Sequence, residues 1–182
     1  MKRVTRQKNL SDFPDENLDV TQIKPTQPMT HLIQGDKAPA FTAKDQNGNT
    51  IKLADYKGKK LVIFFYPADM TPTCTVQACN MRDNYSLLKH HGLEVIGISP
   101  DTIESHKKFE NRHQLPFPLL ADPDRKIIDK YGIWGEKQLY GRKYMGLHRT
   151  SFVIDEKGKI LKVFLKPKSK QHAEEIIAAL VI

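Results

Sequence analysis

Apolar and polar positions along the chain alternate in blocks that predict a β-α-β order. Phe41-Thr42-Ala43-Lys44 and Thr50-Ile51-Lys52-Leu53 flank Asn47-Gly48, a dipeptide suited to the positive φ values of a tight turn, and predict a β-hairpin. Leu61-Val62-Ile63-Phe64-Phe65-Tyr66 is a continuous apolar run, the pattern of a central strand buried on both faces, as in a parallel sheet. Pro67 cannot donate to a sheet ladder and should end that strand. From Thr73 to His91 the apolar positions Cys74, Ala78, Met81, Tyr85 and Leu88 recur at helical spacing, and Gly92 can end the helix. Leu93 to Ser99 reads as the next strand, completing a βαβ unit.

Farther on, Thr102 to His113 predicts a second helix, residues 116–121 a short extended segment and Pro123 to Tyr131 a short helix. Residues 132–137 are expected to be a loop. Thr150–Ile154 and Ile160–Phe164 flank Asp155-Glu156-Lys157-Gly158 as a further hairpin, and Gln171 to Leu180 is a closing amphipathic helix. This order points to an α/β fold, a mixed central sheet with helices on both faces and an N-terminal hairpin. Residues 1–34, polar and interrupted by Pro14, Pro25 and Pro28, read as a flexible extension, with the folded domain spanning residues 35–182.

Composition narrows the class of protein. With 182 residues and 39% hydrophobic content, one domain with a sizeable core is expected. No run approaches a membrane span, and the basic N-terminus is followed by no apolar stretch, so a cytoplasmic protein is expected. The net charge is +8, concentrated in residues 125–170, which hold thirteen Lys/Arg against four Asp/Glu. Without aromatic interleaving or zinc-finger spacing, this reads as a solvated basic face rather than a nucleic-acid surface.

Both cysteines lie in one short stretch, Cys74 and Cys79. In a reducing compartment two such thiols point to reactivity rather than to a structural staple. Thr71 is a good N-cap and Pro72 suits the first helical position, which puts Cys74 near the third. Unpaired backbone N–H groups and the positive end of the helix dipole there favour thiolate over thiol. Cys79, five residues on, would stand roughly 140° around a continuous helix and roughly 8–9 Å away between Cα atoms. A disulfide spans at most about 7 Å, so pairing would require the first turns to unwind. Each cysteine also has a bland reading as a small buried hydrophobe. Two cysteines at this spacing lack the ligand pattern of a zinc site. Of the histidines, His90-His91 suit a helix end, and His148 draws attention only through its neighbour Arg149.

Pro67-x-x-x-Thr71-x-x-Cys74 resembles the active-site signature of the peroxiredoxins, and a second cysteine five residues later resembles their PrxQ, or bacterioferritin comigratory protein, subgroup. The similarity runs from about Gly35 to the C-terminus and includes Phe64–Pro67, Arg82-Asp83, Val95–Ser99, residues 132–137 and Gly146–Asp155. It implies a thioredoxin-like fold and a thiol peroxidase. Cys74 would be the peroxidatic cysteine and Cys79 the resolving one. Pro67 would shape and shield the pocket, Thr71 would hydrogen-bond the sulfur and the peroxide, and Arg149 would stabilise the thiolate and help polarise the O–O bond. From sequence alone Arg149 is an ordinary charge. Where many relatives carry Gly before the cysteine, this chain has Thr73, whose β-branch should stiffen the first turn.

The function expected is therefore reduction of hydrogen peroxide and organic hydroperoxides, with a Cys74–Cys79 disulfide recycled by thioredoxin or a similar dithiol. No metal or organic cofactor is called for, no nucleic acid or membrane is expected as partner, and the chain should act as a monomer or weak dimer. The alternatives are a thiol-disulfide oxidoreductase on the same fold, weakened by the lack of Cys-x-x-Cys, and a non-enzymatic chaperone-like or nucleic-acid-binding protein.

Overall fold

The computed structural model describes residues 30–180. A seven-stranded mixed sheet forms its centre, in the order β2-β1-β5-β4-β3-β8-β9. β1 (Thr42–Asp45) and β2 (Thr50–Lys52) form the hairpin expected around Asn47-Gly48, with Gly48 at φ +80°. β3 (Lys60–Phe65) lies between β4 (Leu93–Ser99), parallel to it, and β8 (Thr150–Ile154), antiparallel. β5 (Leu119–Ala121) pairs in parallel with β4, and β9 (Ile160–Phe164) forms the expected hairpin with β8.

The apolar run of β3 is buried on both sides because successive side chains point to opposite faces. Leu61, Ile63 and Phe65 join Ile96, Ile98, Phe152 and the α4 (Lys126–Lys130) residues Ile127 and Ile128 in one core layer. Val62, Phe64 and Tyr66 face the other layer. There they meet Cys74, Ala78 and Met81 of α1 (Pro72–Asp83), Leu88 of α2 (Tyr85–His90), Phe109 of α3 (Ile103–His113) and Ala173 and Ile176 of α5 (His172–Leu180). Gly97 of β4 is required here, since a Cβ would lie 2.8 Å from the Phe64 ring and 2.9 Å from Leu119.

Three elements differ from expectation. The helix expected over Thr73–His91 breaks at Asn84, whose φ of −101° and ψ of 11° leave the helical region. Its side-chain amide donates to the Asn80 carbonyl at 3.0 Å, alongside its own backbone N–H at 3.1 Å, the kind of local bond by which asparagine competes with a helix. The expected loop at 132–137 is instead largely β6 (Trp134–Leu139), paired antiparallel with β7 (Arg142–Leu147) in a separate ribbon. Its turn is Tyr140-Gly141, both at positive φ, so a tyrosine occupies the place where Asn or Asp would have signalled a hairpin. Of the extension expected over 1–34, residues 1–29 lie outside the described residues. Thr30 and Leu32 are buried, and the Thr30 hydroxyl donates to the Tyr131 carbonyl.

Candidate active site

β3 ends at Phe65, and the chain must turn to start α1 seven residues later. Met70 makes the turn with φ +59°, a left-handed conformation that costs a non-glycine residue about 1–2 kcal/mol. What holds the turn is a buried polar network. Tyr66 Oη donates to Asp69 Oδ1 at 2.8 Å, Ser105 Oγ donates to Asp69 Oδ2 at 2.7 Å, and His106 Nδ1 lies 2.9 Å from Asp69 Oδ2. The Asp69 backbone N–H donates to Asp101 Oδ2, which also accepts from Ser99 Oγ. His106 Nε2 is 3.2 Å from the Leu120 carbonyl oxygen. Burial, then the Asp69 carboxylate, hold the Tyr66 phenol well above its ordinary range, so it stays a donor. These bonds fix the loop to β4 and α3 and so set where α1 begins.

Pro67 follows the strand, partly buried, and Pro72 takes the first helical position. Thr71 has the extended backbone of an N-cap, φ −74° and ψ 148°, but its side chain does not cap. Its Oγ1 donates to the Ala68 carbonyl at 3.0 Å, closing the turn around Met70. Among the described residues it makes no hydrogen bond to Cys74 either. The capping expected of this residue is thus replaced by a bond backward into the loop, an acceptor that the left-handed Met70 brings within reach.

Cys74 is 2% exposed and sits in the first turns of α1, where backbone donors without helical partners remain. Arg149, in the bend between β7 and β8, donates from Nη2 to Cys74 Sγ at 3.2 Å. Its Nη1 donates to Oε1 of Gln77, a fully buried residue one turn beyond Cys74. The guanidinium is therefore held as a fork with one prong on the sulfur. A charged N–H donor makes a stronger hydrogen bond to such an acceptor than a neutral one would. Gln77 Nε2 is a buried donor with no partner among the described residues.

Cys79 lies half-buried in the same unbroken helix, and both thiols are free. Its sulfur is 3.9 Å from Nδ1 of His113, the last residue of α3. Arg82 Nη1 donates to the His113 carbonyl at 2.7 Å, tying the far half of α1 to α3. His148, beside Arg149, turns elsewhere, with Nε2 3.1 Å from the Glu136 carbonyl oxygen. Burial first, and Lys137 second, push its imidazole below the ordinary histidine value.

The structure brings Cys74 and Arg149 into contact, keeps Cys79 on the same helix, and sets Thr71 and Pro67 on the preceding loop. Asp69, Gln77, His106 and His113 were not singled out from sequence. Gln77 carried a signal: a polar residue three positions after Cys74 falls on the same buried helix face. The others depend on loop geometry and on where α3 packs.

A forked arginine on a buried helix-start cysteine, with a second thiol farther along the same helix, makes this the candidate active site. Residues 34–163 match the AhpC/TSA family, and the chain belongs to that family, among the Bcp/PrxQ peroxiredoxins. It is 47% identical over 147 residues to a putative peroxiredoxin of Mycobacterium tuberculosis, covering 81% of this chain and 94% of that one. It is 44% identical over 149 residues to peroxiredoxin Bcp of Escherichia coli K12, covering 82% and 96%. Among solved structures, peroxidoxin BcpB of M. tuberculosis superposes with a TM-score of 0.73 at 33% identity, covering 82% of this chain and 97% of that one. The central sheet is that of the thioredoxin-like fold, and the protein is a peroxidase. Among the described residues no helix is long and apolar enough to cross a membrane.

Proposed function

We propose that this peroxiredoxin reduces hydrogen peroxide and organic hydroperoxides through a Cys74 sulfenic acid and a Cys74–Cys79 disulfide, which thioredoxin or a similar dithiol then reduces. The observation that carries the reading is the Arg149 Nη2 donor 3.2 Å from a buried sulfur that shares a helix with the second thiol. The Cys74 thiolate attacks the terminal peroxide oxygen, the S–O bond forms and the O–O bond breaks, and the leaving oxygen takes a proton to become water or an alcohol. Arg149 and the backbone N–H groups at the start of α1 stabilise the charge that moves to that oxygen, with Gln77 holding the guanidinium in place. Thr71 and Pro67 shape the approach.

The intact helix keeps the two Cα atoms roughly 8–9 Å apart, beyond disulfide reach. The first turns of α1 open, Cys79 displaces the sulfenic oxygen as water, and the exposed disulfide is reduced by thiol exchange. No step needs a metal or an organic cofactor. A cytoplasmic monomer or weak dimer fits this cycle, since both thiols belong to one chain.

Peroxide-dependent oxidation of thioredoxin by the wild type and by Cys74→Ser tests the assignment. Activity should vanish in the variant, and undiminished turnover there would sink the reading. After one equivalent of peroxide, peptide mass spectrometry should show the Cys74–Cys79 link within one chain. A persistent sulfenic acid or a link between chains would refute the role of Cys79.

A further inference from the structure

In the proposed cycle Cys79 must give up a proton before it attacks. An ordinary thiol is only a few per cent ionised at pH 7, and nothing at the middle of α1 offers the backbone donors that surround Cys74. The one titratable side chain hydrogen-bonded to Cys79 among the described residues is His113, with Nδ1 3.9 Å from Sγ. His113 is held in place twice, once through its ring and once through its backbone. Its ring stacks edge-on against Phe109 at 5.2 Å, and its own carbonyl accepts from Arg82 Nη1 at 2.7 Å.

We propose that His113 is a catalytic base for disulfide closure, taking the Cys79 proton so that the thiolate attacks the Cys74 sulfenic acid. This rests on the reading of Cys79 as the resolving cysteine. The step balances within the chain. The Cys79 S–H bond breaks toward His113, the Cys79–Cys74 S–S bond forms, and the Cys74 S–O bond breaks. The leaving hydroxide takes a proton, returned by the imidazolium, and departs as water. Cys79 is oxidised and the sulfenic sulfur is reduced.

Two further observations fit. Burial, then Arg112 on the same helix and Arg82 on α1, push the imidazole below the ordinary histidine value, which keeps it a free base at neutral pH. The Arg82 bond also pins α1 three residues beyond Cys79. Opening of the helix start therefore stops short of Arg82, and Cys79 is kept near the imidazole while Cys74 leaves its pocket and comes within reach of it.

The test is quenched-flow mass spectrometry on the full chain, following sulfenic acid and disulfide separately, in wild type and His113→Gln between pH 6.5 and 9.5. Formation of the Cys74 sulfenic acid is the internal reference. Wild-type closure should be nearly level from pH 6.5 to 8, and H113Q closure should be about tenfold slower at pH 7, converging to within about twofold at pH 9.5, where hydroxide in solution can replace a side-chain base. Equal closure rates at pH 7, or a deficit that is the same at every pH, would overturn the proposal, the second because it marks lost packing rather than a lost base. A wild-type closure rate that climbs about tenfold per pH unit from 6.5, as a thiol without a base would, overturns it without any variant. Should the wild type accumulate sulfenic acid but no Cys74–Cys79 link at any pH, it is the resolving role of Cys79 that fails.

Discussion

The Arg149 guanidinium reaches across 75 residues of chain to donate to the Cys74 sulfur at 3.2 Å while its other prong rests on Gln77. Two hydrogen bonds in a fixed fork are something only arginine supplies, since a lysine is a point charge on a flexible stem. Arg149→Lys should therefore lower kcat/KM for peroxide by about 10²–10³, the loss typical when one such donor is removed from a developing charge. Stopped-flow measurement of the first oxidation step checks it. A loss under threefold would mean that charge alone suffices.

Gln77→Leu fills the same space and removes the carbonyl that steadies the guanidinium. It also removes the unpartnered Nε2. The expected result is therefore a split: peroxide reactivity down by about tenfold, with thermal stability unchanged or slightly raised. Kinetics and a melting curve on the same preparation separate the two.

Thr73 occupies the exposed first turn of α1, which must open for the thiols to meet. Thr73→Gly loosens that turn by about 0.3 kcal/mol, the gap in helix propensity between a β-branched residue and glycine. Disulfide closure should quicken by about 1.5- to 2-fold, at a small cost in melting temperature. Closure unaffected by the change would place the slow step elsewhere.

His172 is fully buried, its Nε2 2.8 Å from Ser151 Oγ and its Nδ1 3.1 Å from Glu175. Burial pushes its imidazole below the ordinary histidine value, with Glu175 opposing the shift. The native state thus holds this ring neutral, while the unfolded chain takes up a proton below about pH 6.5. The stability it contributes is present above that pH and is lost as the pH falls toward the lowered native value. Urea midpoints should decline from pH 7.5 to 5.5, and His172→Gln should flatten that decline while lowering stability at pH 7.5 by about 1–3 kcal/mol. A variant with the wild-type slope would assign the decline to other groups.

Most strands and helices were legible because their signals are local. The apolar run of β3, the Asn47-Gly48 turn and the Asp155-to-Gly158 turn that joins β8 to β9 each act within a few residues. The β6–β7 ribbon was not legible, because its pairing turns on Tyr140 adopting φ +48°, which the residue type does not announce. The break at Asn84 was hidden for a similar reason, since its amide competes with the helix only once the preceding turn exists.

The sequence by itself determined the placement of the cysteines. Pro72 sets the helix start, Cys74 sits beside it, and a separation of five residues keeps an intact helix from closing the disulfide. These follow from the fixed rise and turn of a helix. Only the tertiary structure decided which charges and bases reach the sulfurs. Arg149 meets Cys74 because antiparallel pairing of β8 with β3 sets Thr150 opposite Phe65, just where the cysteine loop departs. His113 meets Cys79 because α3 packs on the same sheet face as α1. Such meetings depend on strand order and helix packing, which a residue does not encode in its near neighbours.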